Sequence, residues 1–218
     1  MCKSTLAIID SNIRSGQDEL AREDVLARLR RYTHPCVTPL WVNWLRPRAD
    51  LRLVCMVHEL DRFDDFLIDV LREAIGVAGT RAFLSFGGRV NITHLLEVLL
   101  VAAGDQEMFA ASVRIELLPG YDRSAFEALW TLPPHPHVRP VWLLRTYHSF
   151  EADLNLMLLS DDHAAINGYV MSWVRTAPGV LDTMITDVLD WQMLASPEEM
   201  IALAERFFQP QDAETQEA

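Results

Sequence analysis

Along Ala111 to Leu118, apolar Val113, Ile115 and Leu117 alternate with polar neighbours. This two-residue period belongs to a half-buried strand. Pro119-Gly120 interrupts it, and Asp122 then starts a helix carrying Phe126, Leu129 and Trp130. Pro133, Pro134 and Pro136 end that helix. Val138 to Tyr147 and Asp153 to Leu159 read as two more strands. Asp161 or Asp162 caps a second helix, where Ile166, Tyr169, Val170, Trp173 and Val174 form the apolar stripe of a helix lying on a sheet. Pro178-Gly179 closes it, and Val180 to Leu189 is a fourth strand.

The first part of the chain repeats this pattern. Thr5 to Ile13, Val37 to Leu45, Asp50 to His58 and Thr80 to Phe86 read as strands. Asp18 to Tyr32 reads as a helix, and Phe63, Phe66, Leu67, Val70 and Leu71 mark a second one. His34-Pro35-Cys36-Val37 through Trp41 returns 101 positions later as His135-Pro136-His137-Val138 through Trp142. Asp50-Leu51 returns as Asp153-Leu154, and Gly76 as Gly179, now 103 positions apart. A period near one hundred residues is domain-sized. The sequence therefore predicts an α+β protein of two tandem β-α-β-β-α-β repeats, the ferredoxin-like unit, paired as an intramolecular pseudo-dimer. Asn91 to Ala103 and Pro197 to Phe208 add a helix after each repeat, Ser196 capping the second. The expected domains are residues 1–104 and 105–218.

Composition narrows the function classes. Half of the 218 residues are hydrophobic, and formal net charge is −12. Phosphate binding needs clustered Lys and Arg. Arg28 to Arg31, Arg46 to Arg48 and scattered second-half arginines read instead as solvated faces, so no direct nucleic-acid partner is expected. The three cysteines lack metal spacing and an even count, which fits a cytoplasmic setting. No signal peptide is legible. The longest apolar run, Leu95 to Ala103, is too short for a bilayer.

Candidate chemistry is sparse. His34 and His135 could ligate a metal as a pair, but each precedes Pro and reads better as a helix-ending turn. His58 and Glu59 in one repeat, and Asp161 and Asp162 in the other, suit helix starts more than acid–base work. Trp41, Trp44 and Trp142 read as core rather than a flat-ligand platform. Gly87-Gly88 reads as a turn. Cys55 reads as a small buried hydrophobe.

The stretch from Asp153-Leu154-Asn155-Leu156 to Ala177-Pro178-Gly179-Val180-Leu181-Asp182-Thr183 resembles the effector-binding domain of the leucine-responsive regulators (Lrp/AsnC). Asp50-Leu51-Arg52-Leu53 to Ile75-Gly76-Val77-Ala78-Gly79-Thr80 repeats it more loosely. The resemblance implies a tandem effector-sensing module without the family's helix-turn-helix, binding a small metabolite or a partner protein and associating into homo-oligomers. It implies ligand contacts at Arg46, Arg48, Asp50, Thr80, His148, Asp153 and Thr183. No cofactor and no metal is assigned, and a non-enzymatic role is preferred. The alternative is a dimeric α/β-barrel enzyme or a haem- or cofactor-handling protein, for which His58, His94, His148 and His163 are the available histidines. With this charge balance, duplex DNA should show no salt-sensitive mobility shift at micromolar protein; a complex that dissociates as salt rises would overturn the exclusion.

Overall fold

Strands that are apolar on both faces need cover on both faces. β1 (Thr5–Ile13), β3 (Leu51–Val57) and β7 (Leu154–Ser160) are of this kind, buried along nearly their whole length. The remaining strands are β2 (Val37–Arg46), β4 (Val77–Val90), β5 (Phe109–Leu117), β6 (Val138–Tyr147) and β8 (Val180–Met193). The computed structural model describes residues 4–32, 36–46, 51–102, 108–147 and 154–207. In it all eight strands join, antiparallel, into a closed barrel ordered β1-β3-β2-β8-β5-β7-β6-β4. Closure leaves no exposed sheet edge.

The fold is therefore mixed α/β with one large antiparallel sheet and six helical segments. Within the circle the order β4-β1-β3-β2 is followed by β8-β5-β7-β6, the same order twice. Small irregularities are copied too. Register shifts fall between Pro39 and Trp41 and between Pro140 and Trp142, where proline lacks the N–H a ladder needs. β4 and β8 are longer than the periodicity predicts, because their far ends leave one group of strands and pair with β6 and β2 of the other. Gly87 and Gly88 consequently lie within β4 rather than in a turn. A Cβ on Gly88 would stand 2.6 Å from the Leu143 carbonyl oxygen of β6, so glycine lets the two strands approach.

The helices cover the outside and close one end. α1 is Asp18–Arg31 and α2 spans 60–72, ending in π-type turns over Leu67–Arg72. α4 is Asp122–Trp130, and α5 is His163–Tyr169, continued by π-type turns to Val174. α1 and α2 share one apolar layer with the outer face of β1 and β3. α4 and α5 share another with β5 and β7. The Asp162 carboxylate caps α5 by accepting from the Ala164 N–H at 2.9 Å. α3 (Ile92–Ala102) and α6 (Pro197–Phe207) instead plug the barrel. Their Leu95, Val98, Leu99, Met200 and Ala204 join a lumen cluster with Leu6, Leu40, Val54, Trp142 and Leu159. Ser196 caps α6 in a capping box, accepting from Glu199 N–H at 3.2 Å while its own N–H donates to the Glu199 carboxylate at 2.8 Å.

Gly76 and Gly179 follow α2 and α5 with φ of 81° and 83°, the left-handed conformation of a helix C-terminal glycine. An added Cβ at Gly179 would stand 2.3 Å from Tyr121 Cβ, and one at Gly76 would stand 3.0 Å from Gln17 Cβ. Both Gly→Ala changes carry the positive-φ cost of about 1 kcal/mol. Gly179→Ala adds overpacking of roughly 1–3 kcal/mol. Chemical denaturation should rank Gly179→Ala as the more damaging; equal or negligible losses would contradict these contacts.

Candidate functional site

Residues on the lumen face of the barrel change character along its axis. At the plugged end they are apolar, and Trp41 and Trp142 meet with ring centroids 5.4 Å apart. One layer further on, charge enters. Asp10 of β1 lies opposite Arg52 of β3 and accepts two hydrogen bonds from it, 2.6 Å from Nε and 2.9 Å from Nη2. Arg114 of β5 forms an ion pair with the same carboxylate. β1 and β5 stand four strands apart either way round, so this pair spans the lumen. The side chains are 3% (Arg52), 6% (Asp10) and 10% (Arg114) exposed. Burial pulls the Arg52 guanidinium down to about 10, still well above neutrality. Two guanidiniums thus converge on one carboxylate. The Arg114 guanidinium also lies over the Phe83 ring, 4.6 Å from its centroid.

The second group of strands answers with neutral groups. Asn155, which faces Arg114 across β5–β7, accepts from Trp142 Nε1 at 3.2 Å and donates to Ser112 Oγ at 3.0 Å. Above this layer the barrel opens into a polar cavity of about 710 Å³. Asp10 and Arg114 form its floor. Asn12, Gly79, Thr80 and Arg81 line one wall, and Glu116, Asp182, Thr183 and Met184 the other. Glu116 and Asp182 are directly opposite on β5 and β8, and Asp182 accepts from Arg175 at 3.0 Å. The volume is that of a small-molecule site.

Of the residues expected to contact a ligand, Thr80 and Thr183 line this cavity. Thr80 Oγ1 also accepts from Arg72 Nε at 3.0 Å. Arg46 ends β2 on the surface. Arg48, Asp50, His148 and Asp153 lie outside the described residues, as does His34. No described histidine lines the cavity. His58 sits between Ser4 Oγ and Thr38 Oγ1, each at 3.0 Å. His94 Nδ1 contacts the Pro140 carbonyl at 2.7 Å. His163 pairs with Asp187, and His137 with Asp161. Among the described residues no three His, Cys, Asp or Glu side chains converge on a possible metal site. The sequence reading missed Asp10, Arg52 and Arg114. In sequence each reads as ordinary polar alternation in a mostly apolar strand.

No family model matches the chain, and no curated protein matches it in sequence. Solved structures do match its fold along most of its length. An anthrone oxidase-like protein superposes with a TM-score of 0.59 at 9% identity, covering 90% of this chain and 95% of that one. The siroheme decarboxylase NirDL, solved with an iron-uroporphyrin III analogue, gives 0.54 at 12% identity over 87% of this chain and 72% of that one. Its structure without that analogue gives 0.54 at 11% identity over 94% and 79%. At such identities the likeness is one of fold.

These comparisons correct the expectation of a tandem Lrp/AsnC effector-binding domain, and the regulatory, effector-sensing role that came with it. The whole-length neighbours are an oxidase-like protein and a decarboxylase. The motifs behind the resemblance are explained by local geometry. Pro178-Gly179-Val180 is a left-handed helix end leading into a strand, a device that any such repeat needs. Removing the carboxylate with Asp10→Ala should cost about 3–5 kcal/mol, because two guanidiniums would stay buried without their counter-charge. A loss below ~1 kcal/mol in denaturant unfolding would show that the triad does not hold the barrel.

Proposed function

We propose that this chain is a small-molecule-handling α/β barrel of the enzymatic or cofactor-handling kind, and that the open mouth of its barrel receives a carboxylate-bearing ligand. The observation that carries this reading is the pair of guanidiniums, Arg52 and Arg114, gathered with Asp10 at the floor of a 710 Å³ polar cavity. A guanidinium presents a planar fork of donors matched to a carboxylate. Arg81 adds a further cation on the wall.

Haem as a resident group fits poorly. Among the described residues lining the cavity the only soft or nitrogenous iron ligand is the Met184 thioether. A tetrapyrrole fits better as an anion, held by its carboxylates, than as an iron centre, and the siroheme decarboxylase likeness supports that class. In a reaction, Glu116 is the wall carboxylate placed to move a proton, since Asp10 is held by two arginines and Asp182 by Arg175.

On this reading residues 1–104 and 105–218 are fused ferredoxin-like partners, and the fusion replaces a dimer. A cytoplasmic setting accords with the buried thiols of Cys36 and Cys55, neither of which is in a disulfide. Among the described residues no helix is long and apolar enough to cross a membrane. Exposed Leu96 and Leu100, four residues apart on α3, supply a surface for further association.

The test is a fluorescence titration with uroporphyrin, a carboxylate-rich tetrapyrrole. Saturable binding is expected, weakened about tenfold, or ~1.4 kcal/mol, by Arg81→Gln. That exposed position should leave the melting temperature unchanged. Absence of saturation, or binding indifferent to both Arg81→Gln and Arg114→Met, would overturn the reading.

A further inference from the structure

The two groups of strands differ at one buried place. Trp142 hands its indole N–H to Asn155, which hands its amide on to Ser112. Trp41 sits at the matching position of β2, one step past the same proline-linked register shift. The β3 residue matching Asn155 is Arg52, and a guanidinium accepts no hydrogen bond. The β1 residue matching Ser112 is Ile8, opposite Val54 as Ser112 is opposite Met157. Trp41 Nε1 is accordingly buried with no partner. So is the Oδ1 of Asn43, two residues on. Trp41 is 4% exposed and Asn43 1%.

Both side chains face the lumen. Trp41 belongs to the lumen cluster, and Asn43 pairs in register with the lumen residue Arg52. Val42 between them packs in the outer layer with α1 and α2. Residues two apart on a strand are separated by roughly 6.5 Å. Two hydrogen bonds of about 2.9 Å through one bridging atom span most of that distance. One position is an orphan donor and the other an orphan acceptor. A buried donor or acceptor left unmade costs about 1–3 kcal/mol, and buried waters typically satisfy such groups.

We infer that the lumen contains an inner polar subsite at the level of the arginine floor and just below it, which takes a single hydroxyl-type group accepting from Trp41 Nε1 and donating to Asn43 Oδ1. A hydroxyl is the small group that does both. Its source is a water molecule or the hydroxyl of a bound small molecule. The subsite stands independently of the ligand proposed for the mouth, because it rests only on Trp41 and Asn43.

The experiment uses the full chain labelled with ¹⁵N. Trp41→Phe identifies the Trp41 indole N–H resonance by its disappearance. That resonance should show a cross-peak to a long-lived water, or to a carbon-bound proton of a co-purified molecule. Native mass spectrometry separates these sources, since only the second adds organic mass. Asn43→Asp keeps an acceptor and should preserve the cross-peak, whereas Asn43→Leu should abolish it. The folded dispersion of the other indole signals, including that of Trp142, controls for unfolding. A Trp41 resonance with neither cross-peak in the unsubstituted protein, or one unchanged by Asn43→Leu, would overturn the subsite.

Discussion

Everything in the lumen is arranged around one carboxylate. Asp10 holds Arg52 on the neighbouring strand and Arg114 on the opposite one. A charge buried without a partner costs several kcal/mol, so none of the three can be placed alone. Together they tie opposite walls of the barrel and divide its interior. Below them the lumen is filled by Trp41, Trp142 and the plugging helices; above them it is polar and open. Asp10 and Arg114 occupy matching positions on β1 and β5, as their pairing to Arg52 and Asn155 shows. Two identical chains would bring Asp to Asp or Arg to Arg there, with repulsion in a low-dielectric interior. Unlike residues at matching positions of the two strand groups allow the opposite charges that this barrel uses.

The same divergence shapes the seams. At β2–β8 the Arg22 guanidinium of α1 lies 5.2 Å from the Trp44 ring centroid and also pairs with Asp190 of β8. At β4–β6 the roles are exchanged. Arg145, which matches Trp44, places its guanidinium 4.3 Å from the ring of Phe126 on α4, while Arg89 of β4 lies over that ring and bonds Glu127 at 2.9 Å. Cation and ring have swapped elements, yet both seams keep contact of the same kind, one at β2–β8 and two at β4–β6. Complementary chemistry at two joints lets unlike halves close a regular barrel.

Much of this fold was legible from period alone. Alternating strands, striped helices and Gly76 and Gly179 at helix ends are local properties, and each sits where the sequence pattern puts it. The lengths of β4 and β8 were not legible, because residues such as Trp191 and Arg89 are in strands only by virtue of a partner strand from the other group. The site was hidden for a related reason. Arg52 and Arg114 look like ordinary polar alternation in a sheet with one wet face. They become a buried pair only when closure turns that face inward. A family motif drew attention to the turns and to Thr80 and Thr183, while the charged layer lay one step inside.

Closure also decides which end of the barrel can host chemistry. β4 and β8 enter the barrel at their Val77 and Val180 ends and leave it at Val90 and Met193. The chain continues from those exits into α3 and α6, so both plugs are delivered to the same end, where their leucines and methionine meet the lumen cluster. The opposite end receives only the starts of these two strands, and Gly79, Arg81, Asp182 and Met184 face outward around an unplugged mouth. Filling that mouth with side chains would require larger apolar groups at these positions. The arginine layer beneath separates this mouth from the apolar plug. Connectivity thus fixes where the cavity is, and the Arg52–Asp10–Arg114 layer forms the boundary between it and the plug.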